Sequence, residues 1–173
     1  MYNLIMEEEN KVSVTDLTLL AELKKQGCTN LRLRQLTRRV SQMYDLEMAK
    51  AGLRTTQYSL LSHVHLLGPL RPGELAHRMK FSASTLTRNL KPLIDADWVT
   101  LSAGSDARSR SVSITPAGVT KREVALQHWK AAQQKLNHLV GLKRVLALHT
   151  LMNEAMDLLS DLEIPADCGA DDE

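Results

Sequence analysis

The stretch from Ser82 to Lys91 carries small hydroxyl side chains followed by two cations. Hydroxyls donate and accept hydrogen bonds, and a guanidinium presents a planar fork of donors that can engage two acceptors at once. A lysine adds a flexible point charge. These side chains suit recognition of an anionic surface that is rich in hydrogen-bond acceptors. The residues concerned are Ser82, Ser84, Thr85, Thr87, Arg88 and Lys91.

A second group of charged side chains lies in the segment GSDARSR, where Asp106, Arg108 and Arg110 stand at alternate positions. A carboxylate beside two guanidiniums can hold one of them in a fixed orientation. The ordinary alternative is a surface ion pair, which contributes about 0–1 kcal/mol to stability. A glycine-led loop does not need this arrangement for its own stability, so we interpret it as a binding loop.

The elements that position these side chains follow from the spacing of apolar residues. Helical spacing with caps and stop signals predicts helices, and Thr55 or Thr56 is the expected cap of the third. Alternating β-branched residues in WVTLSA and RSVSIT predict a hairpin. The low aromatic content, 3%, and the many leucines favour a mainly α fold. The predicted helices span 15–26, 29–50, 55–67, 72–79, 82–95, 116–139 and 142–162.

Charge is distributed unevenly, although the 173 residues together carry only +2. Residues 28–70 carry +4 and residues 71–122 carry +5, whereas residues 1–27 carry −2 and residues 123–173 carry −5. A basic middle attracts a polyanion, and an acidic end repels it. Uneven charge is also found in soluble proteins that have no such partner.

Two short helices joined by a tight turn and followed directly by a hairpin indicate a winged helix-turn-helix. The N-terminal turns of helix 82–95 fit a DNA major groove, which is about 12 Å wide. A narrow minor groove attracts an arginine from the hairpin, or wing. Both groups of side chains described above are therefore predicted to contact double-stranded DNA. The inward side of helix 82–95 is predicted to carry Leu86, Leu90, Leu93 and Ile94.

The chain resembles the multiple antibiotic resistance regulator (MarR) family over about residues 30–140. The likeness runs from GLRTTQYSLLSHV through ELAHRMKFSASTLTRNLKPLIDADWV to DARSRSVSITPAG, and the D-x-R wing with its I-T-P-A-G return is the most specific part. The resemblance implies a homodimer whose first and last helices interlock and whose wings straddle a palindromic operator. It also implies that small anionic or aromatic ligands, or thiol oxidation, release the DNA.

The last predicted helix has apolar residues on two of its sides. A helix on the surface of a monomer needs one apolar stripe, so a second stripe indicates a partner chain, with helix 15–26 as the other half of the interface. Burial within its own domain is the alternative. One stripe holds Leu142, Val145, His149, Met152, Met156 and Leu159, and the other holds Leu148, Leu151, Ala155, Leu158 and Leu162.

The effector cleft of the family implies a ligand site near Arg32, Arg34 and Arg38. One of these arginines facing inward with His63 or His65 would bind a carboxylate through a charge-assisted hydrogen-bonded pair. The alternative for the arginines is simple exposure to solvent, and for the histidines ordinary packing.

Cys28 is a candidate redox switch, because the dipole at a helix start favours the reactive thiolate. Peroxide-sensing members of the family carry a cysteine near this position. A spectator thiol is the alternative.

Other classes of protein are less well supported. A cysteine-dependent enzyme would need a base near Cys28, and no histidine or acidic residue lies at helical spacing to it. Neither metal-ligand spacing nor a membrane-length apolar run is found, and we expect no cofactor. With Cys28 and Cys168 alone, and an N-terminus unlike an export signal, a cytoplasmic location is expected.

The sequence therefore predicts a dimeric DNA-binding repressor that is not an enzyme, with a sequence-tolerant architectural DNA-binding protein as the rival. The assigned segments are a flexible arm (1–14), N-terminal helices for dimerisation and ligand binding (15–51), the DNA-binding domain (52–116), C-terminal dimerisation helices (117–164) and an acidic disordered tail (165–173).

Overall fold

The computed structural model describes residues 14–103 and 110–160, with side chains from Asp16 onward. Within these ranges the chain is mostly helical and has one antiparallel hairpin, which confirms the predicted fold class. The helices are α1 Val14–Gln26, α2 Thr29–Met48, α3 Thr55–Leu67, α4 Pro72–Met79, α5 Ala83–Asp95, α6 Pro116–Val140 and α7 Leu142–Leu158, with a 3₁₀ turn at Ala49–Ala51. The strands are β1 Val99–Ala103 and β2 Arg110–Ile114.

The chain divides into two compact units, separated within α2 between Val40 and Ser41. The first unit holds α1 and the N-terminal part of α2, and every described side chain from Asp16 to Arg39 is exposed. Among them are leucines such as Leu23, which is 59% exposed. An apolar surface of this extent is typical of a site that another element or chain covers.

The second unit contains a main core and a smaller one. The main core lies between α3, α4, α5 and the hairpin, and its buried residues are Leu60, Leu61, Val64, Leu70, Leu75, Ala76, Leu86, Leu90, Leu93, Val99 and Val112. The smaller core joins the end of α2 and the 3₁₀ turn to α3 and α6, through Met48, Ala51, Leu53, Tyr58 and Ala125. Trp98 packs against both cores.

The hairpin is extended on one side by a short third segment. β1 and β2 are antiparallel, and Leu101 is opposite Val112. Leu70, in the connection between α3 and α4, forms an isolated bridge with Val112. The two backbones exchange both hydrogen bonds, at N–O distances of 3.2 and 2.9 Å. The hairpin is thereby fixed to the start of the helix-turn-helix.

The third helix is capped differently from the prediction. Neither Thr55 nor Thr56 is the cap, because α3 already begins at Thr55 and Arg54 occupies the cap position. Asp45 of α2 supplies the missing acceptor: one oxygen of its carboxylate accepts from Thr55 N at 2.8 Å and from Thr55 Oγ1 at 2.6 Å. A carboxylate at a helix N-terminus satisfies backbone donors and complements the helix dipole.

None of the described helices combines the length and hydropathy that a membrane crossing requires. The functional roles assigned to the segments 15–51, 52–116 and 117–164 stay predictions.

Candidate nucleic-acid interface

α4 and α5 form a helix-turn-helix with a very short turn. α4 ends at Lys80, which adopts a left-handed conformation with φ of 55°. Phe81 N then donates to Ala76 O at 2.9 Å, so the chain reverses within one turn. Ser82 caps the next helix directly afterwards, as the sequence predicts. α5 is thus held at a fixed angle against α4.

The Ser82 hydroxyl organises the first turn of α5. It accepts from Thr85 N at 3.1 Å and donates to Thr85 Oγ1 at 2.9 Å. The hydroxyl of Ser84 lies 3.0 Å from it. Further along, Thr87 Oγ1 donates to Ala83 O at 2.9 Å. The hydroxyls of α5 are therefore preorganised by hydrogen bonds within the helix.

α5 has one buried side and one open side. Leu86, Leu90 and Leu93 are buried in the main core. Ser84, Thr87, Arg88 and Lys91 are exposed, and Thr85 is half-buried. Ile94, which the sequence places on the buried side, is 36% exposed. That expectation was wrong because Ile94 lines an open groove between α4, α5 and the wing instead of entering the main core.

The two cations of α5 differ in their surroundings. Among the described residues, no ion pair or hydrogen bond engages the Arg88 guanidinium. Lys91 Nζ lies 2.9 Å from Asp95 Oδ2, with both side chains largely exposed. Such a surface pair is weak and breaks readily when a phosphate competes. Both cations are therefore available to an anionic partner.

The wing is described only at its base. Arg110 is exposed at the start of β2, opposite Ala103. Asp106 and Arg108 lie outside the described residues, so their role stays a prediction.

An apolar groove of about 430 Å³ lies between α4, α5 and the wing. Its size suits a small aromatic molecule. Sequence reasoning missed it, because its walls come from three elements that only the tertiary fold brings together. The lining residues are Pro72, Gly73, Ala76, Ala83, Leu86, Thr87, Leu90, Lys91, Ile94, Asp95, Leu101 and Arg110.

The residues predicted to bind a ligand belong to different units. Arg32, Arg34 and Arg38 lie in the first unit and are exposed. Arg32 Nε donates to Gln26 O within that unit, at 2.5 Å. His63 and His65, in α3 of the second unit, are half-buried. A combined site stays a prediction.

The His63 ring already has a hydrogen-bonding partner in its own helix. Nδ1 of His63 lies 2.8 Å from Ser59 O, so a backbone carbonyl already occupies one nitrogen of that ring.

Cys28 is an exposed free thiol just before α2. The two tyrosines nearest to it in the following sequence have partners in the second unit. Tyr44 Oη donates to Gln133 Oε1 at 2.6 Å, and burial raises the pKa of Tyr44. The Tyr58 ring lies 6.3 Å from that of Trp129. Within the described ranges, no cluster of three or more His, Cys, Asp or Glu side chains could hold a metal.

A bracing helix, a tight turn, a helix with an open polar side and a two-stranded wing define a winged helix-turn-helix protein. The sequence model of the MarR family matches residues 51–109. The M. tuberculosis transcriptional regulator MosR, solved in complex with DNA, is 30% identical, with a TM-score of 0.62 over 75% of this chain and 98% of that one. The chain belongs to the MarR family, which confirms the resemblance found in the sequence.

Two further comparisons are consistent with a helix-turn-helix regulator of this fold. YwoH of Bacillus subtilis (strain 168), described as an uncharacterized HTH-type transcriptional regulator, is 27% identical over 92 residues, 53% of this chain and 67% of that protein. A mutant MarR from E. coli complexed with operator DNA has a TM-score of 0.69 at 19% identity, over 73% of this chain and 92% of that one. At that identity, the likeness bears on the fold alone. The protein is a MarR-type DNA-binding transcriptional regulator.

Proposed function

We propose that this protein is a homodimeric repressor that binds a palindromic operator and is released by a small aromatic or carboxylate ligand. The observation that carries the DNA-reading part is the open side of α5. Ser84, Thr87, Arg88 and Lys91 are exposed there, while the opposite side of the same helix is anchored in the main core. A rigid helix with an exposed row of hydroxyl and cationic side chains is the arrangement that enters a major groove.

The wing supplies the second contact in this proposal. Arg110 starts β2 on the exposed side, and Arg108, oriented by Asp106, would enter the adjacent minor groove. Arginine suits this role because its guanidinium is weakly hydrated and always charged. The wing therefore adds preference for minor-groove width, whereas α5 reads base edges.

Dimerisation is supported by the exposure of apolar residues at both ends of the chain. On α7, Leu151 is 63% exposed, Met156 is 62% exposed and Leu158 is 83% exposed, whereas Val145 is buried. The leucines of α1 are exposed as well. Two such helices from each of two chains can cover one another, and a two-fold dimer reads the two halves of a palindrome.

Selection from a library of random double-stranded DNA tests the DNA-reading proposal. We expect an enriched palindrome with half-sites about 10–10.5 bp apart, bound at moderate salt at least about 10³-fold more tightly than random DNA. The log of the binding constant should fall linearly with the log of salt concentration. Equal binding to all sequences would contradict the proposal and favour the architectural rival.

Release is proposed to act through linkage. A ligand lowers DNA affinity only as far as it prefers the non-binding arrangement of the dimer, and a coupling of about 1–3 kcal/mol corresponds to about 5- to 150-fold. Arg32, Arg34 and Arg38, with His63 or His65, are the proposed anchors for an anionic group. The exposed thiol of Cys28 is the alternative switch.

Release of the protein from a single operator complex distinguishes a ligand switch from a thiol switch. We expect small aromatic carboxylates at millimolar concentration to release both the wild-type protein and Cys28→Ser, because the ligand needs no thiol. If peroxide releases the wild type but not Cys28→Ser, and the carboxylates release neither, the ligand proposal is wrong and the redox alternative replaces it.

A further inference from the structure

Trp98 lies where two parts of the second unit join. We call α3, α4, α5 and the hairpin the reading head, and residues 41–51 together with α6 the stem. The indole packs against the main core of the reading head and against the smaller core that includes the stem. Its backbone is held from both sides, since Trp98 N donates to Leu93 O at 2.9 Å and Trp98 O accepts from Thr115 N at 3.0 Å.

Lys121 of α6 lies over this junction. Its Nζ is 4.7 Å from the centroid of the Trp98 ring. The same ammonium would be 3.4 Å from a Cβ placed on Gly52. Gly52 caps the carbonyl end of the 3₁₀ turn Ala49–Ala51. An aromatic face and the carbonyl end of a helix both attract a cation. Lys121 therefore lies over the ring of Trp98 and close to the end of the 3₁₀ turn.

The first turn of α6 is hydrogen-bonded to and closely packed against the backbone at this junction. Thr115 Oγ1 donates to Asp97 O at 2.6 Å and accepts from Gly118 N at 2.9 Å. A Cβ at Gly118 would lie 2.0 Å from Trp98 O. The backbone on both sides of the indole is thus fixed to α6. These contacts hold the reading head against the stem together with the smaller core and its Tyr58–Trp129 ring pair.

We propose that Lys121 and Trp98 form a joint that sets the angle between reading head and stem, and that both are positioning residues for operator binding. The inference rests on the proposed homodimeric function. In the proposed dimer the interface helix α7 follows directly from α6. The angle between reading head and α6 therefore determines the separation of the two α5 helices. Half-sites lie about 34–36 Å apart on DNA, and a small change in angle at the joint is amplified at α5.

The test compares Lys121→Met with Lys130→Met on the same helix. Both substitutions remove one positive charge, but Lys130 is exposed on α6 and no ring contact involves it among the described residues. Affinity is measured for the selected palindrome, for versions whose half-sites are moved apart or together by one and two base pairs, and for an isolated half-site. Thermal unfolding is recorded for each variant.

We expect Lys121→Met to lose about fivefold in affinity at the best spacing and to discriminate less among spacings, with half-site affinity unchanged. Lys130→Met should match the wild type, and Lys121→Arg should restore the profile because it keeps a cation over the ring. An unchanged spacing profile overturns the joint. An equal loss of affinity for the isolated half-site also overturns the joint, because it indicates that Lys121 simply contacts a phosphate.

Two further variants keep the proposal testable. If Lys121→Met does not fold, Trp98→Phe replaces it under the same criteria, because phenylalanine keeps an aromatic ring but binds a cation less strongly. If the wild type selects no operator, the proposed function fails, and the contact is tested alone in a Trp129→Phe background. There the emission of Trp98 should change with Lys121→Met and stay constant with Lys130→Met, and an emission that changes with neither overturns the joint.

Discussion

The open side of α5 carries side chains with different degrees of freedom. The hydroxyls of Ser82, Thr85 and Thr87 form hydrogen bonds within the helix, whereas no described residue pairs with the Arg88 guanidinium. A hydroxyl whose hydrogen is already donated keeps a lone pair that can accept a hydrogen bond, but it cannot bind a phosphate oxygen without giving up the bond it makes. The guanidinium can bind the two acceptors of a guanine, so we assign discrimination between bases to Arg88.

Substitution of Arg88 should change which DNA is bound, not only how strongly. We expect Arg88→Ala to cost about 1–3 kcal/mol on the selected operator and to relax the preference at one base pair in each half-site. Lys91→Ala should weaken binding to all sequences alike and reduce the salt slope by about one. Repeating the DNA selection with both variants measures the difference. An unchanged base preference for Arg88→Ala would exclude direct readout by this residue.

Among the glycines of the described residues, Gly118 at the start of α6 has the least room for a side chain. A Cβ on Gly118 would lie 2.0 Å from Trp98 O and 2.8 Å from Ile114 Cγ1. Because these contacts are backbone and core, Gly118→Ala should lower the free energy of unfolding by about 1–3 kcal/mol, despite the better helix propensity of alanine. Urea unfolding measures the loss.

Gly73 of α4 provides a matched control, since no atom lies within 4 Å of a Cβ placed there. Gly73→Ala should be neutral or stabilise the protein by up to about 1 kcal/mol. Equal urea midpoints for Gly118→Ala and Gly73→Ala would mean that α6 can move away from Trp98 and make room for the added methyl group.

The helix ends that were predictable carry their own signals. Pro72 opens α4, Ser82 and Thr115 cap α5 and α6, and Gly141 separates α6 from α7. Each signal acts on backbone groups within one turn of itself, so the sequence alone is sufficient.

The remaining features depend on contacts between elements that are apart in sequence. The cap of α3 comes from Asp45 on another helix, and the exposure of Ile94 depends on how α5 settles between α3 and the hairpin. The groove beside α5 likewise needs Leu101 of the wing as one wall. Local periodicity carries no information on these relations. The exposed residues of α5 were predictable because helical spacing alone separates Arg88 from Leu86.

For the molecule as a whole, the apolar surface of α7 makes dimerisation the property to test. Met152 is 41% exposed in the single chain. If a second chain covers it, Met152→Asp places an unpaired charge in the interface, and breaking such an interface costs several kcal/mol. We expect Met152→Asp to be monomeric or insoluble, which light scattering measures. We also expect it to lose operator binding, which DNA titration measures.

Asn153→Asp adds the same charge to the neighbouring exposed position, outside both apolar stripes, and should leave the dimer intact. A soluble, operator-binding dimer from Met152→Asp would show that this stripe is not the interface.

The bridge between Leu70 and Val112 also has a consequence for the order in which the chain acquires its structure. The two residues lie on either side of the helix-turn-helix in the sequence, yet their backbones exchange both hydrogen bonds. During synthesis, α4 and α5 leave the ribosome before β2 exists, so the segment proposed to recognise DNA cannot complete its core until the second strand has been made. Nascent chains stalled before Val112 should consequently bind no operator, and the ability to bind should arise abruptly once β2 has emerged.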